Sequence, residues 1–92
     1  MNNRRRAHCF FYGTVQGVCF RYNTQSLSHK FAVTGFVCNV TDGSVEMVAE
    51  GEREEVERFI AAIKEKMDSH ILKCRTEWSE YEGVFSGFEI AR

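Results

Sequence analysis

The sequence predicts an α+β fold in which two helices cover one face of a β-sheet. Hydrophobic residues recur with helical spacing in two separate stretches, and elsewhere they alternate or form short runs bounded by turn residues. The order of these stretches is strand, helix, strand, strand, helix, strand, strand. Each amphipathic helix needs an apolar surface to cover, and one sheet in a chain of 92 residues supplies it.

The first strand and the first helix adjoin each other in the sequence. A strand is predicted over residues 7–15, where an aromatic run is followed by turn residues. Over residues 20–33 the spacing becomes helical, because Phe20, Leu27 and Phe31 lie on one face, with Thr24 between them on the same stripe. Polar side chains occupy the other positions, so this helix is expected to be amphipathic.

Two further strands form a predicted hairpin over residues 36–41 and 44–50. The second of these strands alternates apolar and polar residues, as expected when one face is buried. Asp42-Gly43, between them, is among the strongest two-residue hairpin signals. A hairpin fixes the strand register, and it therefore gives Asn39 a defined direction in the sheet.

The second helix, predicted over residues 52–67, has the clearest pattern in the chain. Its apolar stripe consists of Val56, Phe59, Ile60, Ile63 and Met67. Strands are then predicted over residues 71–78 and 85–91. This order predicts a ferredoxin-like two-layer sandwich, with an antiparallel sheet and two helices on one face, βαββαβ plus a further short strand.

Charge and composition narrow the possible functions. The net charge of −1 argues against a general nucleic-acid binder. No apolar run is long enough to cross a bilayer, and no apolar core follows the basic N-terminus as in a signal peptide, so we expect a cytoplasmic protein without a membrane partner. Residues 1–6, with three consecutive arginines, are predicted to be a flexible terminus, and residues 7–92 one domain.

The cysteines do not indicate a metal or redox centre. They are Cys9, Cys19, Cys38 and Cys74. No Cys-x-x-Cys pair or metal-ligand spacing of histidines occurs, so we expect free thiols and no metal. Cys19 has two interpretations: a thiol activated by a nearby arginine and helix N-terminus, or a small apolar side chain that packs; we favour the second.

The stretch 11–21 carries the strongest functional signal. An apolar strand breaks at Gly13 and Gly17 and leads to Arg21, where the helical pattern begins. The first N–H groups of a helix lack partners within it, and the helix dipole adds partial positive charge there. The guanidinium group of Arg21 matches two phosphate oxygens at once. We interpret this stretch as a cradle for a small phosphate group.

The same stretch resembles the first signature of the acylphosphatases. The matching residues are Gly13-x-Val15-Gln16-Gly17-Val18-x-Phe20-Arg21. A second stretch is similar to the second signature of that family: Gly35-Phe36-Val37-Cys38-Asn39-x3-Gly43-x-Val45-x5-Gly51. Both occur in the expected order and at the expected separation. Phe11, Cys38 and the lack of proline depart from the family pattern, but none affects the presumed catalytic positions.

The resemblance implies an enzyme that hydrolyses the carboxyl–phosphate bond of acyl phosphates to carboxylate and inorganic phosphate, without a metal or cofactor. It implies that Arg21 binds the phosphate and that Asn39 orients the attacking water. The phosphate-binding residues are then Val15, Gln16, Gly17, Val18, Cys19, Phe20 and Arg21. The expected partners are the small-molecule substrate and phosphate, and we expect a monomer.

An acyl phosphate is a mixed anhydride with a good leaving group, so positioning and charge neutralisation meet most of the catalytic requirement. The amide of Asn39 accepts a hydrogen bond from water and donates one to the ligand, but it is not a strong base. We therefore expect the phosphate itself to accept the proton of the water. An isolated arginine is more often a surface ion-pair partner, and an isolated asparagine more often a cap.

Three other functions are compared with this interpretation. An RNA-recognition domain shares the βαββαβ order, but the predicted strand 44–50 lacks the aromatic residues that stack on bases. A P-loop needs a lysine after its last glycine, and none follows Gly17. A module that binds an anion or carbamoyl phosphate without turnover stays open; such domains head larger maturation proteins, and the end of this chain at Arg92 favours a free-standing enzyme.

Overall fold

The computed structural model describes residues 3–91. Its strands are β1 (Arg4–Gly13), β2 (Thr34–Asn39), β3 (Val45–Glu52), β4 (Ile71–Glu80) and β5 (Phe88–Ile90), and its helices are α1 (Phe20–Ser28) and α2 (Arg53–Lys66). A short 3-10 turn at Asp68–His70 connects α2 to β4. The predicted order of elements and the ferredoxin-like α+β architecture are confirmed. None of these helices is long and apolar enough to span a membrane.

The five strands form one sheet in the order β4-β1-β3-β2-β5. Every pair is antiparallel except β2 and β5, which run parallel, with Val37 opposite Ile90. The predicted antiparallel sheet is thus confirmed for β1 to β4, and only the pairing of β5 departs from it. The strands β4 and β5 lie at opposite edges of the sheet and run in opposite directions. The direction of β5 is that of its neighbour β2.

Both helices pack on the same face of the sheet, where they close one hydrophobic core. The strands contribute Ala7, Cys9, Phe11, Val37, Val45, Met47 and Ala49, and α2 contributes Val56, Phe59, Ile60 and Ile63. Alternate residues of each strand thus point towards the helices, as the pleat requires. Burying each large apolar side chain contributes about 1.5–3 kcal/mol to folding. This core fixes the positions of the strand ends at which the site is built.

The first helix is shorter than predicted and buries a more polar face. It ends at Ser28, and the next residues continue as turns in which Lys30 N–H donates to the Leu27 carbonyl. Its fully buried residues are Phe20, Thr24 and Ser28, spaced by four, while Leu27 is only partly buried. The small side chains of Thr24 and Ser28 let α1 approach the sheet closely. This favours burial of Phe20, Thr24 and Ser28 over the predicted stripe that continues to Phe31.

The N-terminal arginines lie in the sheet rather than in a flexible terminus. The strand begins at Arg4, so Arg4, Arg5 and Arg6 pair across β3 with Glu52, Gly51 and Glu50, whereas we expected residues 1–6 to be flexible. Residues 1 and 2 lie outside the described range. Acidic partners on the neighbouring strand compensate these positive charges, which is why a basic run forms a strand here.

A buried carboxylate holds the connection between β4 and β5 on the open face of the sheet. Glu50 accepts a hydrogen bond at 2.9 Å from the guanidinium of Arg6, and others at 2.9 and 3.0 Å from the backbone N–H groups of Glu82 and Gly83. Its side chain is fully buried. Hydrogen bonds to a buried charge are among the stronger ones in proteins. They fix the loop 81–87, which leads into β5.

Candidate active site

The loop between β1 and α1 depends on glycine at its first residue. Gly13 has φ +133°, and a Cβ atom there would lie 2.4 Å from the His70 carbonyl oxygen. The next residue, Thr14, donates its N–H to that same carbonyl at 3.0 Å. Only glycine permits this close approach of two backbones. The loop therefore starts from a fixed point at the end of β1.

Cys19 turns the chain into the first helix. It has φ +62°, the only non-glycine residue among 3–91 with a positive φ, and it is the N-cap of α1. A left-handed conformation costs a non-glycine residue roughly 1–2 kcal/mol, so the surrounding loop must enforce it. Its side chain is exposed rather than packed as we had expected, because the left-handed turn directs it away from the core.

The side chain of Gln16 connects the loop to the β2–β3 hairpin. Its Nε2 donates to the carbonyl oxygens of Val40 at 2.7 Å and Ser44 at 2.8 Å. Val40 N–H also donates to the Ser44 carbonyl, at 2.9 Å, so these two residues close the hairpin directly after Asn39. The connection is longer than the two-residue turn that Asp42-Gly43 predicted. Gln16 thus ties the phosphate-loop candidate to the strand end that carries Asn39.

An open pocket of about 530 Å³ lies where this loop, the start of α1 and the ends of β2 and β5 meet. Its lining residues are Val15, Gly17, Cys19, Phe20, Arg21, Tyr22, Asn39 and Ile90. Six of the predicted site residues are thereby brought together. Gln16 and Val18, which we had also expected to bind phosphate, are not among the lining residues: Gln16 faces the hairpin, and Val18 packs against the core.

Arg21 lies in the first turn of α1 and is partly buried. Within residues 3–91 it forms no ion pair, whereas Arg6, Arg53 and Arg58 each contact a carboxylate. The first turn of α1 also contains no acidic residue. A guanidinium and helix N–H groups without an internal anion are suited to bind an external one.

Asn39 lies at the end of β2 opposite Val45, with its side chain exposed. That side chain forms no hydrogen bond to any other described residue, so it does not act as a cap. The neighbouring Cys38 is not a lining residue: burial, chiefly, and a hydrogen bond to Glu46 raise the pKa of its thiol, while the charge of Arg21 acts weakly in the opposite direction. Arg21 is therefore within electrostatic reach of the end of β2.

Sequence reasoning missed two lining residues, Tyr22 and Ile90. Tyr22 follows Arg21 directly and is 66% exposed, so its aromatic ring at a helix start was an available signal. Ile90 enters the pocket only because β5 pairs with β2, which no local pattern indicates. No group of three or more histidine, cysteine or acidic side chains in the described part of the chain is arranged to hold a metal ion.

Comparison with known proteins identifies the family. The acylphosphatase family model matches residues 7–90. The acylphosphatase of Pelotomaculum thermopropionicum is 42% identical over 90 residues, covering 97% of this chain and 98% of the relative. The crystal structure of acylphosphatase from Bacillus subtilis superposes with a TM-score of 0.86 at 28% identity, over 96% of this chain and 99% of that one.

The same fold also occurs within a larger protein. Full-length HypF, solved in a phosphate- and nucleotide-bound form, matches 97% of this chain with a TM-score of 0.84 and 26% identity, but the match covers only 12% of HypF. The Bacillus and Pelotomaculum proteins, in contrast, are covered almost completely. On the family match and the curated relative, the chain belongs to the acylphosphatase family.

Proposed function

We propose that this chain hydrolyses acyl phosphates to carboxylate and inorganic phosphate, with Arg21 and the loop backbone from Gly13 to Arg21 holding the phosphoryl group and Asn39 orienting the attacking water. One observation carries the proposal: Arg21 and Asn39 line the same pocket. Among residues 3–91, the partly buried Arg21 has no carboxylate partner and the side chain of Asn39 has no hydrogen-bond partner. Membership of the acylphosphatase family supports the reaction class.

The proposed phosphate site has two sources of positive charge. Asn23 N–H closes the first hydrogen bond of α1, with the Cys19 carbonyl, so the N–H groups of Phe20, Arg21 and Tyr22 have no partner within the helix. The helix dipole favours an anion at this end, and the guanidinium adds a full charge. Developing charge on the phosphoryl oxygens would meet donors that are already in place.

The proposed hydrolysis needs little proton transfer from the protein. The leaving group is a carboxylate, whose conjugate acid has a pKa of about 4, so it departs without protonation. No carboxylate or histidine is among the described lining residues, so a phosphate oxygen accepts the proton of the water. The amide oxygen of Asn39 accepts a hydrogen bond from that water. This orients the water so that a lone pair on its oxygen points at phosphorus.

The test is steady-state hydrolysis of benzoyl phosphate without added metal, with product phosphate as a competitive inhibitor. We expect Arg21→Gln to lose phosphate binding and to lower kcat/KM by at least about 100-fold, since it removes the main charged donor. We expect Asn39→Ala to keep the inhibition constant for phosphate within about threefold while kcat falls by roughly 100-fold. Arg58→Gln, an exposed arginine paired with Glu55 on α2, is the matched control and should leave both unchanged.

Three outcomes would count against this mechanism. Equal losses of kcat/KM in Arg21→Gln and Arg58→Gln would show that Arg21 has no specific role in catalysis. Loss of phosphate affinity in Asn39→Ala would make Asn39 a binding residue instead. A pH–rate profile with a steep limb from an enzyme carboxylate or histidine would show a general base that the proposal excludes.

The second candidate function is binding without turnover. The match to HypF favours it, since there the fold forms a small part of a larger protein. Phosphate binding by a folded parent that does not hydrolyse benzoyl phosphate would establish this alternative. The proposed partners are the acyl phosphate and phosphate alone, and the cytoplasmic location stays a prediction.

A further inference from the structure

Two cysteines that are far apart in the sequence meet between β1 and β4. Cys9 lies opposite Thr76, and Cys74 lies two residues earlier on β4, opposite Phe11. The thiol sulfur of Cys9 is 3.4 Å from the hydroxyl oxygen of Thr76, and that of Cys74 is 3.7 Å from the same oxygen. Both sulfur atoms thus contact one hydroxyl group, a proximity that the spacing of the cysteines in the sequence does not indicate.

The two thiols differ in their exposure. Cys9 is fully buried in the core, whereas Cys74 is partly buried on β4, an edge strand. An open groove of about 310 Å³ between α2 and β4 has Lys64 and Thr76 among its lining residues. Because Thr76 contacts Cys74, this groove brings a small polar molecule close to the Cys74 thiol. Cys74 is therefore the thiol of the pair that meets an external reagent first.

The surroundings of Cys74 favour its thiolate. A hydrogen bond from the Cys9 thiol, chiefly, lowers the pKa of the Cys74 thiol; burial acts against this, and the Thr76 hydroxyl and the charge of Lys64 add to it. The same hydrogen bond, together with burial, raises the pKa of the Cys9 thiol. Glu57, on α2, is the other charged residue among those that line the groove. Since the thiolate is the reactive form, Cys74 acts as the nucleophile and Cys9 stays protonated behind it.

We propose that Cys9 and Cys74 form a modification site for hydroperoxides, at which Cys74 is oxidised first and Cys9 then closes a disulfide bond between β1 and β4. In the first step the sulfur of Cys74 attacks one oxygen of hydrogen peroxide. An S–O bond forms, the O–O bond breaks, and the second oxygen leaves as hydroxide, which takes up a proton to become water.

In the second step the sulfur of Cys9 attacks the sulfenic sulfur of Cys74. An S–S bond forms, the S–O bond breaks, and the hydroxyl group leaves with the proton of Cys9 as water. The two thiols together lose two electrons, and one hydrogen peroxide is reduced to two waters. This inference does not depend on the proposed function.

The disulfide requires a small movement of β4. Diagonal neighbours across an antiparallel pair have Cα atoms about 7–8 Å apart, whereas a disulfide usually spans about 4.4–6.8 Å. Among the described strands β4 pairs only with β1, and the register of this pair shifts between Tyr12 and Gly13. The strand can therefore approach β1 without displacing another strand.

The test treats the folded parent with equimolar hydrogen peroxide at neutral pH and maps the four cysteines by alkylation and peptide mass spectrometry. We expect a peptide pair joined through Cys9 and Cys74 that a thiol reductant separates, while the exposed Cys19 stays predominantly reduced. Cys9→Ser keeps a hydrogen-bond donor but supplies no second thiol, so Cys74 should remain a sulfenic acid that dimedone traps. Cys74→Ser should leave Cys9 reduced.

Cys38 is the matched control, since it is also partly buried on a strand, but burial and then Glu46 raise the pKa of its thiol. We expect iodoacetamide to alkylate Cys74 roughly tenfold faster than Cys38 at neutral pH, because the larger thiolate fraction outweighs its lower intrinsic nucleophilicity. Thr76→Val, which removes the shared hydroxyl group, should slow the reaction of Cys74 by roughly threefold and leave that of Cys38 unchanged.

Four results would overturn the inference, and the first three need no variant. They are oxidation of Cys19 ahead of Cys74, a disulfide with a different pairing, alkylation of Cys74 no faster than that of Cys38, and a Cys74 that dimedone does not label in folded Cys9→Ser. Resistance of Cys9 to iodoacetamide in the parent would show that the reactions take place in the folded protein, as the inference requires.

Discussion

At the scale of single residues, the side chain of Gln16 sets the distance between the two halves of the site. Its amide donates to the carbonyl oxygens of Val40 and Ser44, one on each side of the hairpin neck. Arg21 follows Gln16 in the chain, and Asn39 precedes Val40, so this amide couples the proposed phosphate site to the proposed water site. Neither hydrogen bond involves the ligand pocket itself.

Replacing Gln16 with methionine should impair the proposed water site and leave the proposed phosphate site intact. The substitution keeps the side-chain length but removes the amide donor from two carbonyl oxygens, each of which keeps a backbone donor: Val40 N–H for Ser44 and Gly43 N–H for Val40. Each lost hydrogen bond costs about 0.5–1.5 kcal/mol. We expect kcat for benzoyl phosphate to fall by roughly 10–100-fold, since Asn39 is no longer held in register with the loop. The inhibition constant for phosphate should stay within about threefold, because the donors of α1 are unchanged.

The result is informative only if the variant is folded, so urea unfolding is measured alongside. An unchanged kcat in folded Gln16→Met would show that the hairpin holds its position without the amide. A loss of phosphate affinity as large as the loss in kcat would place Gln16 in phosphate binding, as the resemblance to the family implied.

The sequence indicates Arg21 and Asn39 because each lies in a signature where local residue types carry the information. Tyr22 adjoins one signature and was still missed: an aromatic ring at a helix start is a signal, but it does not tell a ring that faces a pocket from one that faces the core. Ile90 lies 69 positions after Arg21 in the chain. It reaches the pocket through the parallel β2–β5 pairing, which depends on the whole sheet.

At the scale of elements, the bounds of a helix were predicted correctly where one face is continuously apolar. The prediction failed where polar residues are buried. The stripe of α2 gave its bounds to within one residue, Arg53–Lys66 against the predicted 52–67. In the first helix, Thr24 is buried on the stripe that the spacing predicted, but Ser28 is buried as well, which a hydrophobic pattern cannot identify. Arg4, Arg5 and Arg6 were assigned to a terminus because their partners, Glu50 and Glu52 among them, are distant in sequence.

The β4–β5 loop provides a test of one such distant partner. Glu50→Gln replaces one carboxylate oxygen with an NH2 group, which cannot accept from Arg6 or from the loop N–H groups. We expect the free energy of unfolding to fall by about 2–4 kcal/mol, because a partly buried guanidinium partner and two backbone donors share this buried carboxylate. Urea denaturation at neutral pH measures the change.

Glu65→Gln is the matched control for this prediction, since Glu65 is exposed on α2. Its effect should stay within about 0.5 kcal/mol. If both variants unfold at the same urea concentration, the network around Glu50 does not hold the loop. The loop would then have to be fixed by other contacts, such as the ring of Phe85, which lies 5.9 Å from that of Phe36.

At the scale of the whole molecule, the two edges of the sheet decide whether the chain associates. The edge strand β5 has only three residues, which offers little backbone for pairing. The opposite edge, β4, has ten residues and pairs only with β1 among the described strands. Long open edges invite pairing with another chain unless charged side chains protect them. Lys73, Arg75 and Glu77 lie on β4 and are exposed.

Two of these charged residues also cover aromatic rings. The Lys73 ammonium lies 5.7 Å from the ring centre of Tyr12, and the Arg75 guanidinium 4.8 Å from that of Phe10. Removing the two cations would expose both rings beside an unpaired strand edge, and the remaining surface would resemble an association site. The charges on β4 therefore act against association of the folded chain.

We propose that the chain is a monomer for this reason, and we expect light scattering after gel filtration to give a mass near 10.6 kDa. The double variant Lys73→Val/Arg75→Val should form dimers or larger species while its circular dichroism stays that of the parent. Lys64→Val/Lys66→Val on α2 removes the same charge away from any strand edge and should stay monomeric. A dimeric parent, or equal association of both double variants, would show that edge charges do not control assembly and that net charge or another surface does.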